Sequence, residues 1–319
     1  SATNPGAIAE IAGDSSAQDI AATSGTISLT DQDLGDTLTV TVTGNATAAY
    51  NGGALPIEDS VDVSALIAAG AISFDPLTSD GEQQTINWTY DPAAADLDWL
   101  QAGDTLTLTY VAQVDDGAGN VGSQNLVITI TGSNDTPTID SATNPAAIAE
   151  IAGDSSAQDI AATTGTITLT DQDAGDTLTV TVTGDATPSY SAGAVPAAGT
   201  ASIATLIASA AISFDPLTSD GGQQTINWTY DPATADLDWL QVGETLTLTY
   251  VAQVDDGVGN VGAQNLVITI NGTNDTPVAV DGIAGTFENV ILNGNVPTAI
   301  DLDGTIAAYA LGGTTVAEG

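Results

Sequence analysis

The sequence predicts an all-β protein of tandem antiparallel β-sandwich domains, immunoglobulin-like in type and strung into an elongated array. Three observations predict it. Residues 1–140 and 141–280 align without a gap at 108 of 140 positions, a period at which whole domains repeat. Within each copy, short segments alternate apolar residues with Thr, the pattern of a strand with one wet face. Clusters of Gly, Asp and Asn separate about seven such segments, and helical periodicity is almost absent. The expected domains are residues 1–135 and 136–275, followed by the start of an incomplete third β-domain over 276–319.

Taken in order, residues 7–13 read as a short first strand ending at Gly13. Residues 26–30 form a second, stopped by Asp31-Gln32-Asp33-Leu34-Gly35-Asp36. Residues 37–43 alternate strictly, with Leu38, Val40 and Val42 toward a core and Thr toward water. Of the 32 differences between copies, 14 fall in residues 51–70 against 191–210, which marks that window as an exposed insertion with one helical turn near Ser64 to Ala69. Residues 71–74 and 85–90 are further strands, and in the second Ile86, Trp88 and Tyr90 share a face. Asp91-Pro92 has the chemistry of a helix N-cap and first position, opening a turn that closes by Leu100. Residues 105–114 and 124–130 complete the copy as long strands joined by Asp115-Asp116-Gly117-Ala118-Gly119-Asn120, hairpin chemistry.

Composition narrows the chemistry. The chain has 319 residues, 41 of them acidic, and no Lys, Arg, His or Cys. It therefore cannot neutralise nucleic-acid phosphates, and its field repels anionic membranes. Disulfides, thiolate or imidazole metal sites and Schiff-base chemistry are excluded. No run of 18 apolar residues offers a membrane span. With no initiating Met and no signal peptide, the chain reads as a piece of a longer protein. Two carboxylates ~4 Å apart repel by roughly 4 kcal/mol at an effective dielectric of about 20, so clustered acids must separate, protonate or hold a cation. Carboxylate, amide, hydroxyl and backbone oxygens are the ligands that calcium prefers.

The segment Gly132-Ser133-Asn134-Asp135-Thr136-Pro137 recurs as Gly272-Thr273-Asn274-Asp275-Thr276-Pro277, closing each copy at the start of the next. Together with Glu10 and a glycine three residues on, Thr30-Asp31-Gln32-Asp33, Leu97-Asp98 and Val114-Asp115-Asp116-Gly117, it resembles cadherin-type domains in order and approximate spacing. The run from Asp96-Leu97-Asp98-Trp99-Leu100 to Asn134-Asp135-Thr136-Pro137 is most similar to the VCBS-type and cadherin-like repeats of giant secreted bacterial adhesins of the RTX type.

That resemblance implies calcium ions at the junctions between modules. It implies a first junction of Glu10, Asp98, Asn134 and Asp135 with Asp171, Asp173 and Asp255 of the second copy. The second would gather Glu150, Asp238, Asn274 and Asp275 with Asp301 and Asp303, while Glu288 marks the third module as the same kind of domain. Asp31, Asp33 and Asp115 would face a module preceding residue 1. The sequence departs from the cadherin pattern at Leu100, where that family has an acid, and in the linker, which lacks a second Asn. Each loss removes a ligand, so fewer ions per junction are expected.

Other features read as structural. Asp91, Asp96 and Asp104 are a cap and solvated charges; Trp88, Trp99, Trp228 and Trp239 are core; the Thr37 to Thr43 ladder reflects strand propensity. Asn87-Trp88-Thr89 matches a glycosylation acceptor. Nothing marks a catalytic cleft, so the chain reads as a non-enzyme. The function expected is a calcium-rigidified extender of an extracellular or cell-surface bacterial adhesin, its partners being neighbouring repeats and other copies of itself. Two alternatives remain: a glycan-binding module that uses the variable window, and a self-assembling surface-layer or filament subunit.

Overall fold

A computed structural model describes residues 1–13, 19–55, 63–93, 96–119, 121–153, 158–232, 234–258, 262–279, 281–282, 285–291, 294–295, 297–311 and 314–317. The first copy contains β1 (Ala2–Thr3), β2 (Ile8–Ala9), β3 (Thr23–Thr30), β4 (Thr37–Val42) and β5 (Thr47–Tyr50). After α1 (Ser64–Ile67) come β6 (Ile72–Phe74), β7 (Leu77–Thr78), β8 (Gln83–Tyr90), β9 (Thr105–Asp115) and β10 (Val121–Thr131).

These strands make two sheets. One has the order β1-β3-β8-β6; the other runs β2-β10-β9-β4-β7, with β5 also on β9. The chain's entry is split between them. β1 pairs antiparallel with β3, whereas β2 pairs parallel with β10, Ile8 opposite Ile130. The long hairpin is in continuous antiparallel register from Asp115↔Val121 to Thr105↔Thr131.

Alternation explains why the sheets face each other. Leu106, Leu108, Tyr110 and Ala112 of β9 and Leu126, Ile128 and Ile130 of β10 point inward. They meet Ile27 of β3 and Ile86, Trp88 and Tyr90 of β8 in one core. Each such aliphatic side chain contributes about 1.5–3 kcal/mol on burial, so no disulfide staple is needed.

The second copy repeats this plan. Its strands are β11 (Thr138–Thr143), β12 (Ile148–Ala149), β13 (Thr163–Thr170), β14 (Thr177–Val182) and β15 (Thr187–Tyr190). Then come α2 (Thr200–Leu206), β16 (Ile212–Phe214), β17 (Leu217–Thr218), β18 (Gln223–Tyr230), β19 (Thr245–Asp255) and β20 (Gly262–Asn271). Its sheets have orders β11-β13-β18-β16 and β12-β20-β19-β14-β17 around a separate core. Beyond it, among the described residues, Val278 bridges Ile300 and a hairpin pairs β21 (Ala308–Leu311) with β22 (Thr314–Ala317).

Two expectations about the copies need correction. The variable window is not wholly an exposed insertion: Val63 and Leu66, and Ile203 and Leu206, are buried. The hydroxyls of Tyr90 and Tyr110 donate to the Leu66 carbonyl, and those of Tyr230 and Tyr250 to that of Leu206, so the short helix is tied to the core. Leu66 is kept as Leu206 in the second copy, and the buried Val63 changes only to Ile203. Nor, among the described residues, does a helical turn open at Asp91; residues 94 and 95 lie outside them. Among the described residues there, only one turn forms, closed by Leu100 N–H on the Leu97 carbonyl at 2.8 Å.

Candidate metal centres

Three separate segments of the first copy converge at its far end. Glu10 follows β2, Asp98 lies in the turn before β9, and Asp135 follows β10; one carboxylate oxygen from each lies within 4.8 Å of the others, and all three residues are buried. Local hydrogen bonds hold them there. Glu10 N–H donates to the Thr131 carbonyl at 2.9 Å, prolonging the β2–β10 pairing by one bond. Its Oε2 accepts from Ser133 N–H at 2.7 Å and Ser133 Oγ at 2.6 Å. Asp135 Oδ1 accepts from Gly13 N–H at 2.5 Å.

Gly132 makes this exit possible. A Cβ there would stand 1.8 Å from the Leu100 carbonyl oxygen, so only glycine lets β10 leave against the Leu97–Leu100 turn. Gly272 does the same beside Leu240.

The second copy reaches across to the linker. Asp135 N–H donates to Asp173 Oδ2 at 2.7 Å, and Asn134 Nδ2 donates to Asp256 Oδ2 at 2.8 Å. Gln101 Nε2 donates to the Ala174 carbonyl and to Asp176 Oδ1, the latter at 3.1 Å. Asp171 and Asp173 are buried beneath this segment. Asp31 and Asp33, their equivalents in the first copy, are half-buried and exposed, grouped with Asp36. Identical residues thus change environment according to what packs over them.

The electrostatics follow from burial without counter-charge. Burial pushes Asp98 up to about 7, with Asp96, Asp19, Asp135 and Glu10 adding repulsion. Asp173 also rises to about 7, through burial and then through the charges of Asp135, Asp176 and Asp171, despite the Asp135 amide. Asp171 reaches about 6, again chiefly by burial. Asp135 is raised by burial, against the pull of the Gly13 amide.

At the second junction Glu150, Asp238 and Asp275 form the same buried triad. Glu150 Oε2 accepts from Thr273 N–H at 2.6 Å and Asp275 Oδ1 from Gly153 N–H at 2.6 Å. Burial, then Asp236, Asp159, Asp275 and Glu150, pushes Asp238 up to about 7. Asp303 is buried nearby and repels Glu150, and Asp301 is raised by desolvation, its hydrogen bond to Asp303 and the charges of Asp303 and Asp275. Glu288 stays exposed in a turn, outside every acidic cluster of the described residues.

The structure therefore brings Glu10, Asp98 and Asp135 together and sets Asn134 and Asp173 against them. Asp255 Oδ1 accepts from Gly257 N–H at 2.7 Å, and it is the next residue, Asp256, that accepts from the linker's Asn134. Asp115 likewise caps its own turn through Gly117 N–H at 2.8 Å. Asn274 is exposed, donating to the Asp275 carbonyl at 2.8 Å. Asp19, Asp36, Asp96, Asp176 and Asp256 were not among the predicted residues. Alternation within Asp31-Gln32-Asp33 extends to no signal for Asp19, which reaches its partners only through the fold.

The donor set fits a hard cation. Every clustered side-chain atom is an oxygen, and Glu10 Oε1, both oxygens of Asp98, Asp135 Oδ2 and Asp173 Oδ1 are buried without a hydrogen-bond partner.

No protein-family model and no curated protein matches the chain. Among solved structures it is similar to human CDH23 EC21-23, at 17% identity and TM-score 0.39 over 98% of this chain and 89% of that one. It is also similar to the protocadherin gammaB7 EC3-6 cis-dimer structure, at 12% identity and TM-score 0.37 over 96% and 61%. For the zebrafish RET cadherin-like domains 1 to 4 the values are 11%, 0.25, 74% and 43%.

Proposed function

We propose that this chain is a pair of extender repeats from an extracellular bacterial adhesin, stiffened where modules meet by calcium. The observation that carries the reading is the buried triad Glu10, Asp98 and Asp135, whose last member also donates its amide to Asp173 of the next module. No Lys, Arg or His exists to balance those charges. Glu10, Asp98 and Asp135 would hold the ion from one side, with Asp173 and Asp171 approaching from the other. Bound there, a calcium ion supplies the missing positive charge and accepts roughly six to eight oxygens in a flexible geometry. A cation that binds only the docked arrangement favours it by RT ln(1 + [L]/Kd), about 2.7 kcal/mol at a hundredfold excess over Kd. The role is mechanical: repeated modules project whatever lies at the end of the array.

Small-angle scattering tests this on the whole chain. In millimolar calcium the expected particle is a rod with a narrow distribution of lengths. Chelation should broaden the distribution and shorten the mean end-to-end distance. Identical curves with and without chelator would reject the reading.

A further inference from the structure

Asp98 belongs to two acidic clusters at once. Besides the junction triad, it lies with Asp19 and Asp96 in a group whose chosen oxygens are within 4.8 Å of one another. No residue of the following module takes part in that second group. The same pair of clusters recurs at Asp238, with Asp159 and Asp236.

The local geometry is built. Asp19 Oδ2 accepts the Leu97 amide, Asp96 Oδ1 accepts the Asp98 amide at 3.2 Å, and the Asp19 carbonyl accepts Ile11 N–H at 2.8 Å. These bonds tie the chain after β2, next to Glu10, to the turn bearing Asp98. Asp98 is only 4% exposed, and neither of its carboxylate oxygens has a hydrogen-bond partner. Asp238, at 2%, is in the same condition. A buried side chain with no hydrogen bond to either oxygen, shared by two carboxylate clusters, is placed to serve a cation in each. Glu10, Asp135, Asp98, Asp19 and Asp96 carry five formal charges. One divalent ion leaves three of them uncancelled, whereas two leave one.

We infer that Asp19, Asp96 and Asp98 form a second divalent-cation site lying wholly within the module, that Asp98 bridges it to the junction site, and that Asp159, Asp236 and Asp238 repeat it. Oxygen-only ligands and a partly exposed rim at Asp96 suit calcium with water completing the shell. The ion would pin the turn before β9 to the chain after β2, setting up the junction triad whether or not another module follows. The inference goes beyond the junction reading and shares only Asp98 with it.

The test counts bound calcium per chain by equilibrium dialysis and follows scattering in parallel. The full chain is compared with the double variant Asp96→Ala and Asp236→Ala. Asp96 and Asp236 are exposed, so the fold should persist. The expected result is one ion fewer per copy, with the calcium-dependent change in scattering still present but reached at higher calcium. A milder pair, Asp96→Asn and Asp236→Asn, keeps the acceptor for the Asp98 and Asp238 amides and should weaken that class of sites about tenfold. An unchanged count and unchanged affinities in both variants would overturn the proposal. So would loss of every bound ion together with the scattering response, which would mean a single centre. Conversely, Glu10→Gln with Glu150→Gln should abolish the scattering response while one ion per copy stays bound. If calcium never altered the wild-type scattering, yet the Asp96 variants still lost ions, the junction reading would fail and this one would stand.

Discussion

Asp98 is under two opposed demands: its place in the turn buries it, and its neighbours are all acids. In the cation-free fold its affinity for a proton rises from the usual 3.8 to about 7, as it does for Asp173 and Asp238. Between those values the folded chain holds protons that the unfolded chain has released. Stability therefore decreases as pH rises through that window. We expect the melting temperature in chelator to be highest near pH 4 and to fall toward about pH 7, since these groups are then forced to ionise in place. Calcium reverses the sign, because only the ionised carboxylates bind it. Its affinity should climb over the same interval, and calorimetry across a pH series with and without the ion reads both trends. A flat or rising chelated curve would contradict the assignment.

Single residues also show where sequence reasoning stops. Glu10, Asp98 and Asp135 were legible because each sits in a motif repeated in a fixed order. The bond from Asn134 to Asp256 was not, since Asp255 and Asp256 are both acidic and adjacent and no local pattern tells them apart. Asp19 was invisible for another reason: it meets Leu97 across 78 positions of chain, a contact that no local pattern encodes.

At the scale of elements, the long strands β8, β9 and β10 were readable from alternation, and their burial follows it residue by residue. The two-residue strands β1 and β7 were not, because a period of two needs more than two positions to show itself, and β2 spans two residues of the seven that the sequence marked as a first strand. Yet β2 is what delivers Glu10. The exit of β10 is equally demanding. Gly132→Ala would drive a methyl into the Leu100 and Gln101 carbonyls, and overpacking against backbone costs about 3 kcal/mol or more. The variant should unfold at lower denaturant and lose calcium affinity, since Asp135 would be displaced with the strand. Leu66→Ala tests the variable window: removing a fully buried leucine should cost about 2–5 kcal/mol, whereas an exposed insertion would lose almost nothing.

On the scale of the whole molecule, 41 acidic groups without a basic side chain leave the balancing charge to come from solution. Ion size should matter more than ion charge. Magnesium demands a small octahedral shell and gives up water reluctantly, whereas these sites offer preplaced carboxylates that suit a larger, adaptable ion. At equal millimolar concentration, magnesium is expected to leave the scattering close to that of the chelated chain, and calcium to restore the rod; equivalence of the two ions would argue for screening alone. The contrast between copies belongs here too. Gly122 has open space around it, while a Cβ on its counterpart Gly262 would lie 3.2 Å from the Pro137 carbonyl oxygen. A module end is thus a socket whose acids become buried only when a linker lies across it.

The parallel pairing of β2 with β10 has a mechanical corollary. The first of these strands leads into the module and the second leads out, running side by side in one direction. Tension applied through the array drags them past each other lengthwise, so the bonds between them share the load instead of parting one after another. The triad just beyond that pair sits where such sliding would begin, and an ion gripping Glu10 and Asp135 together acts as a rivet through both.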